Sequence, residues 1–412
     1  MARRVFLHVG TPKSGTSFLQ AVAHGNAAAL RAQGLLVPFD HERHYEATLA
    51  IRDVVAAAGR KEQAARGWRL LRETVGKWDA DALITHELLA AADTDQAGGA
   101  VAALAPAEVH VVITARDLLR QVPAEWQEHV KHGSTLDLVG FVEQVIRHGP
   151  AATWFWKVQH VGDLARRWAR HVPAEQMHLV TVPPAGAPPD VLWRRFATVL
   201  GVDPGCCSID VVRANESLGA AQVEFLRLVN LDRQRFFTPA GQHRWFKDRL
   251  AQQVLSQQPE QRRFGIGAAA AGWAAERSRE MARELQDAGY RVVGSLDDLV
   301  LRPPLDVRPP PQAGTDELLS VGLQATLHLL ALVRDEATAR QQLRRKLDQA
   351  SQEQQQLRER LDRWERRPVR ERLILMSADH PSLTRVRHGY WRLADAARWV
   401  ARLVRAGGRR RG

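Results

Sequence analysis

The amino-acid sequence predicts an α/β fold: a doubly wound parallel sheet followed by a helical C-terminal extension. Three observations carry that expectation. Short apolar runs rich in β-branched residues recur at residues 5–9, 82–85, 109–114 and 177–182. Stretches of helical periodicity separate them, and alternating strands and helices build a parallel sheet covered on both faces. After Arg302 the composition turns to proline and arginine, then to long helical periodicity.

The elements follow in order. Residues 5–9 end at Gly10 and read as a buried strand. Residues 16–32 read as the next helix, and 117–132, 141–148, 161–170 and 191–200 as later ones. Residues 215–285 are mostly helical in pattern, with the triplet Asn215-Glu216-Ser217 read as a helix start. Residues 290–293 read as a small closing strand or a turn. Arg302-Pro303-Pro304 and residues 308–311 punctuate an extended linker. The expected divisions are residues 1–303, a Pro-rich linker at 304–317, a helical region at 318–366 and a basic tail at 367–412.

Composition excludes several classes. The 412 residues are 45% hydrophobic and 25% charged, which rules out a collagen, a mucin-like stalk and a wholly disordered chain. The two cysteines, Cys206 and Cys207, are adjacent, so neither a disulfide framework nor a cysteine zinc cluster is expected. That usage suits a reducing cytosol. Arg3-Arg4 precedes too short an apolar run for a signal peptide. No run is expected to approach the roughly 18 apolar residues that span a bilayer. The expected location is cytoplasmic.

The net charge of +12 is concentrated at one end. From Arg366 onward thirteen arginines face only Glu371, Asp379 and Asp395, which leaves +2 for everything before. The body is therefore not a basic nucleic-acid domain, and the tail is a local attachment candidate. Only seven of the 58 basic residues are lysines. Where arginine is the default base, a lysine in a special place carries information.

One such lysine sits in Gly10-Thr11-Pro12-Lys13-Ser14-Gly15-Thr16-Ser17, between the first strand and its helix. A loop in that position turns backbone N–H groups and the positive helix end toward an anion. It is close to the G-x-x-x-x-G-K-[ST] phosphate loop of nucleotide hydrolases, with Gly10, Gly15 and Ser17 in place. Thr16 stands where that lysine belongs, and the lysine has moved into the loop as Lys13. No apolar strand ends in the aspartate that would hold Mg²⁺ in a kinase or GTPase.

Residues 12–17 resemble the 5′-phosphosulfate loop, Pro-Lys-Ser-Gly-Thr-[ST], of sulfotransferases that use 3′-phosphoadenosine 5′-phosphosulfate (PAPS). The resemblance covers residues 3–303, and it implies a sulfuryl donor, PAPS, with metal-free transfer to a hydroxyl of a carbohydrate or lipid. It implies that Pro12, Lys13, Ser14, Gly15, Thr16 and Ser17 bind the 5′-phosphosulfate, with Lys13 also catalytic at the bridging oxygen. The family's 3′-phosphate site uses an arginine after a later strand and a serine eight residues on. Arg116 carries over; Ala124 stands at the serine position. An ion pair of Arg116 with Asp117 or Glu125 is the structural alternative.

The family's catalytic base follows the strand before the 3′-phosphate strand, a histidine in some members and a glutamate in others. Here His86 and Glu87 stand side by side after residues 82–85. Successive residues leaving a strand point to opposite sides, so only one is expected to face the substrate. Histidine needs little tuning to work near neutral pH, whereas glutamate needs a raised pKa. The two remain alternatives, with Glu87 placed slightly ahead. A catalytically impaired scaffold and a P-loop kinase are the rival functions.

Weaker signals complete the reading. His129 and His132 flank Lys131 at a helix end expected to be solvated, and Trp154-Phe155-Trp156 could line an acceptor pocket or fill the core. Leu343, Leu347, Ala350, Gln354, Leu357, Leu361 and Trp364 are spaced alternately four and three apart, a coiled-coil seam for self-association or a single exposed helix. In residues 385–405 an apolar stripe including Val386, Tyr390, Leu393 and Val400 opposes Arg392 and Arg402, with Trp391 and Trp399 flanking. Such a helix binds anionic membrane surfaces or packs on the body. Arg409-Arg410-Arg411 would equally serve nucleic acid.

Overall fold

The computed structural model describes residues 2–54, 61–210, 217–238, 243–259, 261–301, 307–366, 368, 371–372 and 381–407. Asn215, Glu216, Pro303, Pro304 and the Arg409–Arg411 triplet lie outside the described residues. The chain divides into two compact units, Met1–Leu329 and Leu330–Gly412.

Among the described residues of the first unit there are six strands: β1 (Arg4–Gly10), β2 (Leu35–Leu36), β3 (Asp81–Thr85), β4 (Glu108–Ala115), β5 (Met177–Thr181) and β6 (Arg291–Val293). Their order is β2-β3-β1-β4-β5-β6, and every neighbouring pair is parallel. The chain fills one side of β1 before crossing to β4 on the other. That reversal makes the carboxyl ends of β1 and β4 the crevice where an open α/β sheet binds ligands.

Both faces are covered, as the alternation of elements requires. On one face Phe6, Leu83, Val112 and Val180 pack against Leu19, Trp193 and Phe196. These come from α1 (Thr16–Gly25) and, later in the chain, the helix Val191–Leu200. On the other face the helix Val161–Ala169 packs on β4.

Two details depart from the sequence expectation, and a third decides an alternative it left open. The expected helix over 16–32 breaks into α1 and α2 (Ala27–Ala32). Asn26 turns the chain there: its amide donates to the Val22 and Ser208 carbonyls, both at 2.9 Å, and its oxygen accepts from the Ser208 N–H. The strand β2 is only two residues long, too short to show a period. Residues 291–293 are a strand, paired in parallel with β5.

A further departure concerns apolar length. The 51-residue helix Thr315–Glu365 contains an 18-residue window of mean hydropathy 1.3, so among the described residues this helix is long and apolar enough to cross a membrane by length and composition. The expectation counted unbroken apolar runs; Ser320, Gln324 and Thr326 interrupt this one yet leave its mean high. Within the first unit one side of the stretch is packed. Val321 and Ala325 are buried, and the Val321 carbonyl accepts from Gln258 Nε2 at 3.1 Å. The extended segment before it is also tied down, since Gly265 N–H donates to Pro309 O and Gly267 N–H to Arg308 O.

In the second unit the rest of that helix presents Leu343, Leu347, Leu357 and Leu361 to solvent. The tail forms a helix over Pro381–Gly407, in which Val386, Tyr390, Leu393, Trp399 and Val400 are exposed.

Candidate functional site

The loop after β1 is held in a conformation its sequence dictates. Gly15 adopts φ +82°, a backbone conformation that strains any side chain, and a Cβ there would also press on the Leu192 side chain. Lys13 is also left-handed, at φ 60°, which is costly for a residue with a side chain. The neighbourhood over-determines it. Thr11 N–H donates to Thr114 O at 2.8 Å, and the Ser14 hydroxyl bonds Thr11 O and Thr114 Oγ1. Gln121 and Gln159 both donate to the Pro12 carbonyl, at 2.5 and 3.0 Å, and Arg116 Nη1 donates to the Lys13 carbonyl at 3.0 Å.

With these carbonyls drawn into side-chain bonds, the amides that begin α1 face outward from the loop's supports. The first-turn N–H groups of α1 have no carbonyl one turn back inside the helix, and a helix start favours negative charge. Pro12, Lys13, Gly15, Thr16 and Ser17 line a large open cavity of about 2930 Å³. Ser14 is fully buried and its hydroxyl is engaged beneath the loop, so only its backbone is available there.

Arg116 leaves the end of β4 and lines the same cavity. It does not pair with Asp117, which takes Arg120 Nε instead. Its own Nε is buried without a partner among the described residues. Burial, reinforced by the Arg120 cation, pushes the Arg116 guanidinium down to about 10. An unpartnered buried donor beside a row of amides is the chemistry expected of a polyphosphate site. Ala124, one helix down, lines the cavity with no hydroxyl to add.

His86 and Glu87 both line the cavity, which corrects the expectation that only one would. Strand alternation stops at Thr85. His86 instead caps a 3₁₀ turn over Glu87–Ala91, its Nδ1 accepting the Leu88 N–H at 3.2 Å. His86 stacks on His41 at 5.0 Å and lies against Tyr45, and burial pushes it down to about 4. Glu87 accepts from Gln20 Nε2 at 2.8 Å. Burial would raise Glu87, but the neighbouring His86 and the Gln20 bond outweigh it and hold the carboxyl below its ordinary value.

The same cavity is lined by Glu125 and Glu128 of the helix Leu118–Lys131, neither of which the sequence offered as a site group, and Gln121 is buried one turn before Glu125 on that helix. Glu128 Oε2 lies 2.6 Å from Lys13 Nζ, while Oε1 lies 2.6 Å from Lys247 Nζ and 3.3 Å from His132 Nε2. Burial would raise Glu128, but His132, Lys13, Lys247 and Lys131 together hold it far below the usual carboxylate range. Glu125, one turn earlier, is buried and pushed up to about 7. Burial is the main cause; Glu128 adds to it and Lys13 opposes it. His129 and His132 each face the carboxylate one turn back, Glu125 and Glu128.

A signal for these residues was present in the sequence. Gln121, Glu125 and Glu128 stand four and three apart, polar residues at the spacing of a buried helix face. Lys247 is one of the seven lysines, and it meets Lys13 on one carboxylate. Of the aromatic triplet, Trp154 lines the cavity, Phe155 is in the core and Trp156 stacks on His148.

No protein-family model matches the chain, and no curated protein matches it. Among solved structures, a sulfotransferase from Alicyclobacillus acidocaldarius is similar over 59% of this chain and 100% of its own, with 15% identity and a TM-score of 0.35. The α/β fold stated above rests on strand order and register, independently of that likeness.

Proposed function

We propose that this protein is a PAPS-dependent sulfotransferase, acting on a hydroxyl of a carbohydrate or lipid. One observation supports the reading above all: the Pro-Lys-Ser-Gly-Thr-Ser loop at the end of β1 opens on one cavity with Arg116 from the end of β4. When bound, PAPS would supply the sulfuryl group and a phosphate leaving group. The amides of Ser14, Gly15, Thr16 and Ser17 would hold the 5′-phosphate. Lys13 would keep a cation at the bridging oxygen, where negative charge grows as the bond breaks. Arg116 would give its unpartnered Nε–H to the 3′-phosphate. Glu87 or His86 would accept the proton of the attacking hydroxyl.

In this reading the basic tail helix attaches to an anionic membrane surface, and the free Cys206 and Cys207 thiols suit a cytoplasmic setting beside it.

The test is transfer of radiolabelled sulfate from PAPS into an extract, with Lys13→Ala as the control. A labelled product that requires Lys13 is expected. Binding of adenosine 3′,5′-bisphosphate without any transfer would favour the scaffold reading, for which Ala124 is the supporting feature.

A further inference from the structure

The helix Thr315–Glu365 ends in a seam whose leucines no described residue covers, and only its last position, Trp364, is met, by the Arg372 guanidinium 5.2 Å from the ring centre. Leu343, Leu347, Leu357 and Leu361 are 68%, 66%, 61% and 55% exposed. With Ala350, Gln354 and Trp364 they complete alternating core positions, in which Leu347, Gln354 and Leu361 are the a residues and Leu343, Ala350, Leu357 and Trp364 the d residues. We propose that this seam is the interface of a parallel, in-register homodimer, its occupant being residues 343–364 of a second copy of this chain.

The flanking charges select the partner and its direction. In a parallel pair each g residue faces the e residue of the following heptad on the other chain. Here Glu353 faces Arg358, Arg360 faces Glu365, and Lys346 faces the neutral Ser351. Both charged contacts are attractive, each occurs twice by symmetry, and no like charges meet. These side chains are exposed and point along the seam's borders.

Two antiparallel registers are the alternatives. One sets Leu347 opposite Leu357; it brings Glu353 against its own copy, Lys346 against Arg360 and Arg344 against Arg358, all repulsive. The other sets Leu347 opposite Trp364 and does match opposite charges, Glu353 with Arg360 and Arg344 with Glu365. It places Gln354 against Leu357, however, and buries an amide without a partner. Only the parallel register puts Gln354 against Gln354, where two amides can bond each other. A single polar a position of this kind fixes register at some cost in stability.

The test uses the full chain. Sedimentation across a concentration series should give a reversible dimer. Glu353→Arg alone sets Arg against Arg358 twice, and Arg358→Glu alone sets Glu353 against Glu twice. Each should weaken the dimer about tenfold at low salt. Mixing the two variants should restore it, because both contacts in the mixed parallel pair are again opposite in sign. In the antiparallel register that pairs Glu353 with Arg360, Arg358 faces the neutral Ser351, so Arg358→Glu alone would leave the dimer unweakened. Leu357→Cys, in a chain with Cys206→Ser and Cys207→Ser, should oxidise to a covalent dimer, and the outward Glu359→Cys should not. A wild-type chain that stays monomeric throughout, or variants that fail to complement on mixing, would overturn the proposal.

Discussion

Lys13 Nζ and Glu128 Oε2 lie 2.6 Å apart across 115 residues of sequence. The contact joins the cation of the β1 loop to a carboxylate that Lys247 and His132 also hold. Glu128 therefore keeps its charge compensated when Lys13 moves away, because Lys247 remains on its other oxygen. In the proposed function that arrangement would let the loop lysine exchange a carboxylate for a ligand oxygen without leaving a buried charge alone, the costly outcome for a broken pair.

Glu128→Gln should tighten binding of adenosine 3′,5′-bisphosphate. It removes a negative charge that competes for Lys13 and leaves Lys131, His132 and Lys247 around the cavity. A gain of about five- to tenfold is expected at an intermediate effective dielectric. Calorimetry showing equal or weaker binding would place the Lys13–Glu128 contact outside ligand exchange.

Lys13→Ala should lower turnover far more than affinity. The loop amides remain to hold a phosphate, while the lost cation acts on charge that grows only in the transition state. A hundred- to thousandfold fall in kcat, about 2.7–4 kcal/mol, is the scale for such a group. Lys13→Arg should rescue poorly, because a planar fork does not replace a compact ammonium. Single-turnover kinetics with an identified acceptor decide the matter, and near wild-type turnover in Lys13→Ala would remove it from the chemistry.

Arg116 should confer preference for a 3′-phosphate. The wild-type chain is expected to bind adenosine 3′,5′-bisphosphate more tightly than AMP, and Arg116→Ala to bind the two alike. Equal affinities in the wild type would take Arg116 out of the site.

Glu125 should make stability depend on pH. Its folded pKa, about 7, lies above the ordinary carboxyl value of about 4.3. The native state then holds a proton that the unfolded chain has lost, so this group's contribution falls as pH rises between those values. Glu125→Gln lacks that loss. Its melting temperature relative to wild type should climb from pH 4.5 to 7 and then level off, by an amount on the order of 3 kcal/mol in stability. A difference that stays flat with pH would mean that Glu125 is ionised in the folded protein.

The tail helix should bind anionic vesicles. Replacing Arg392, Arg398 and Arg402 by glutamate in the full chain should abolish sedimentation with phosphatidylserine and leave nucleotide binding intact. Unchanged sedimentation would assign the stripe of Val386, Tyr390 and Leu393 to another partner.

What the sequence determined by itself is local. The strand at β1, the glycine-bounded loop and the helix after it are written in contiguous residues, because backbone conformation at Gly15 and burial of a short apolar run depend on near neighbours. Arg116 was legible for the same reason, as the first long side chain after a strand. The parallel sheet was legible as an alternation, though not the order of its strands. Tertiary structure alone decided which groups share the cavity. Glu128 meets Lys13 and Lys247 only because β1, the helix after β4 and a segment beyond residue 243 converge there. It also set His86 and Glu87 side by side, since a 3₁₀ turn replaced strand alternation at Thr85. A carboxyl's charge state belongs to that level too. Glu125 and Glu128 are one turn apart on one helix and are driven in opposite directions, because desolvation and three lysines reach them unequally. No spacing rule carries that information; it depends on the distances the fold creates.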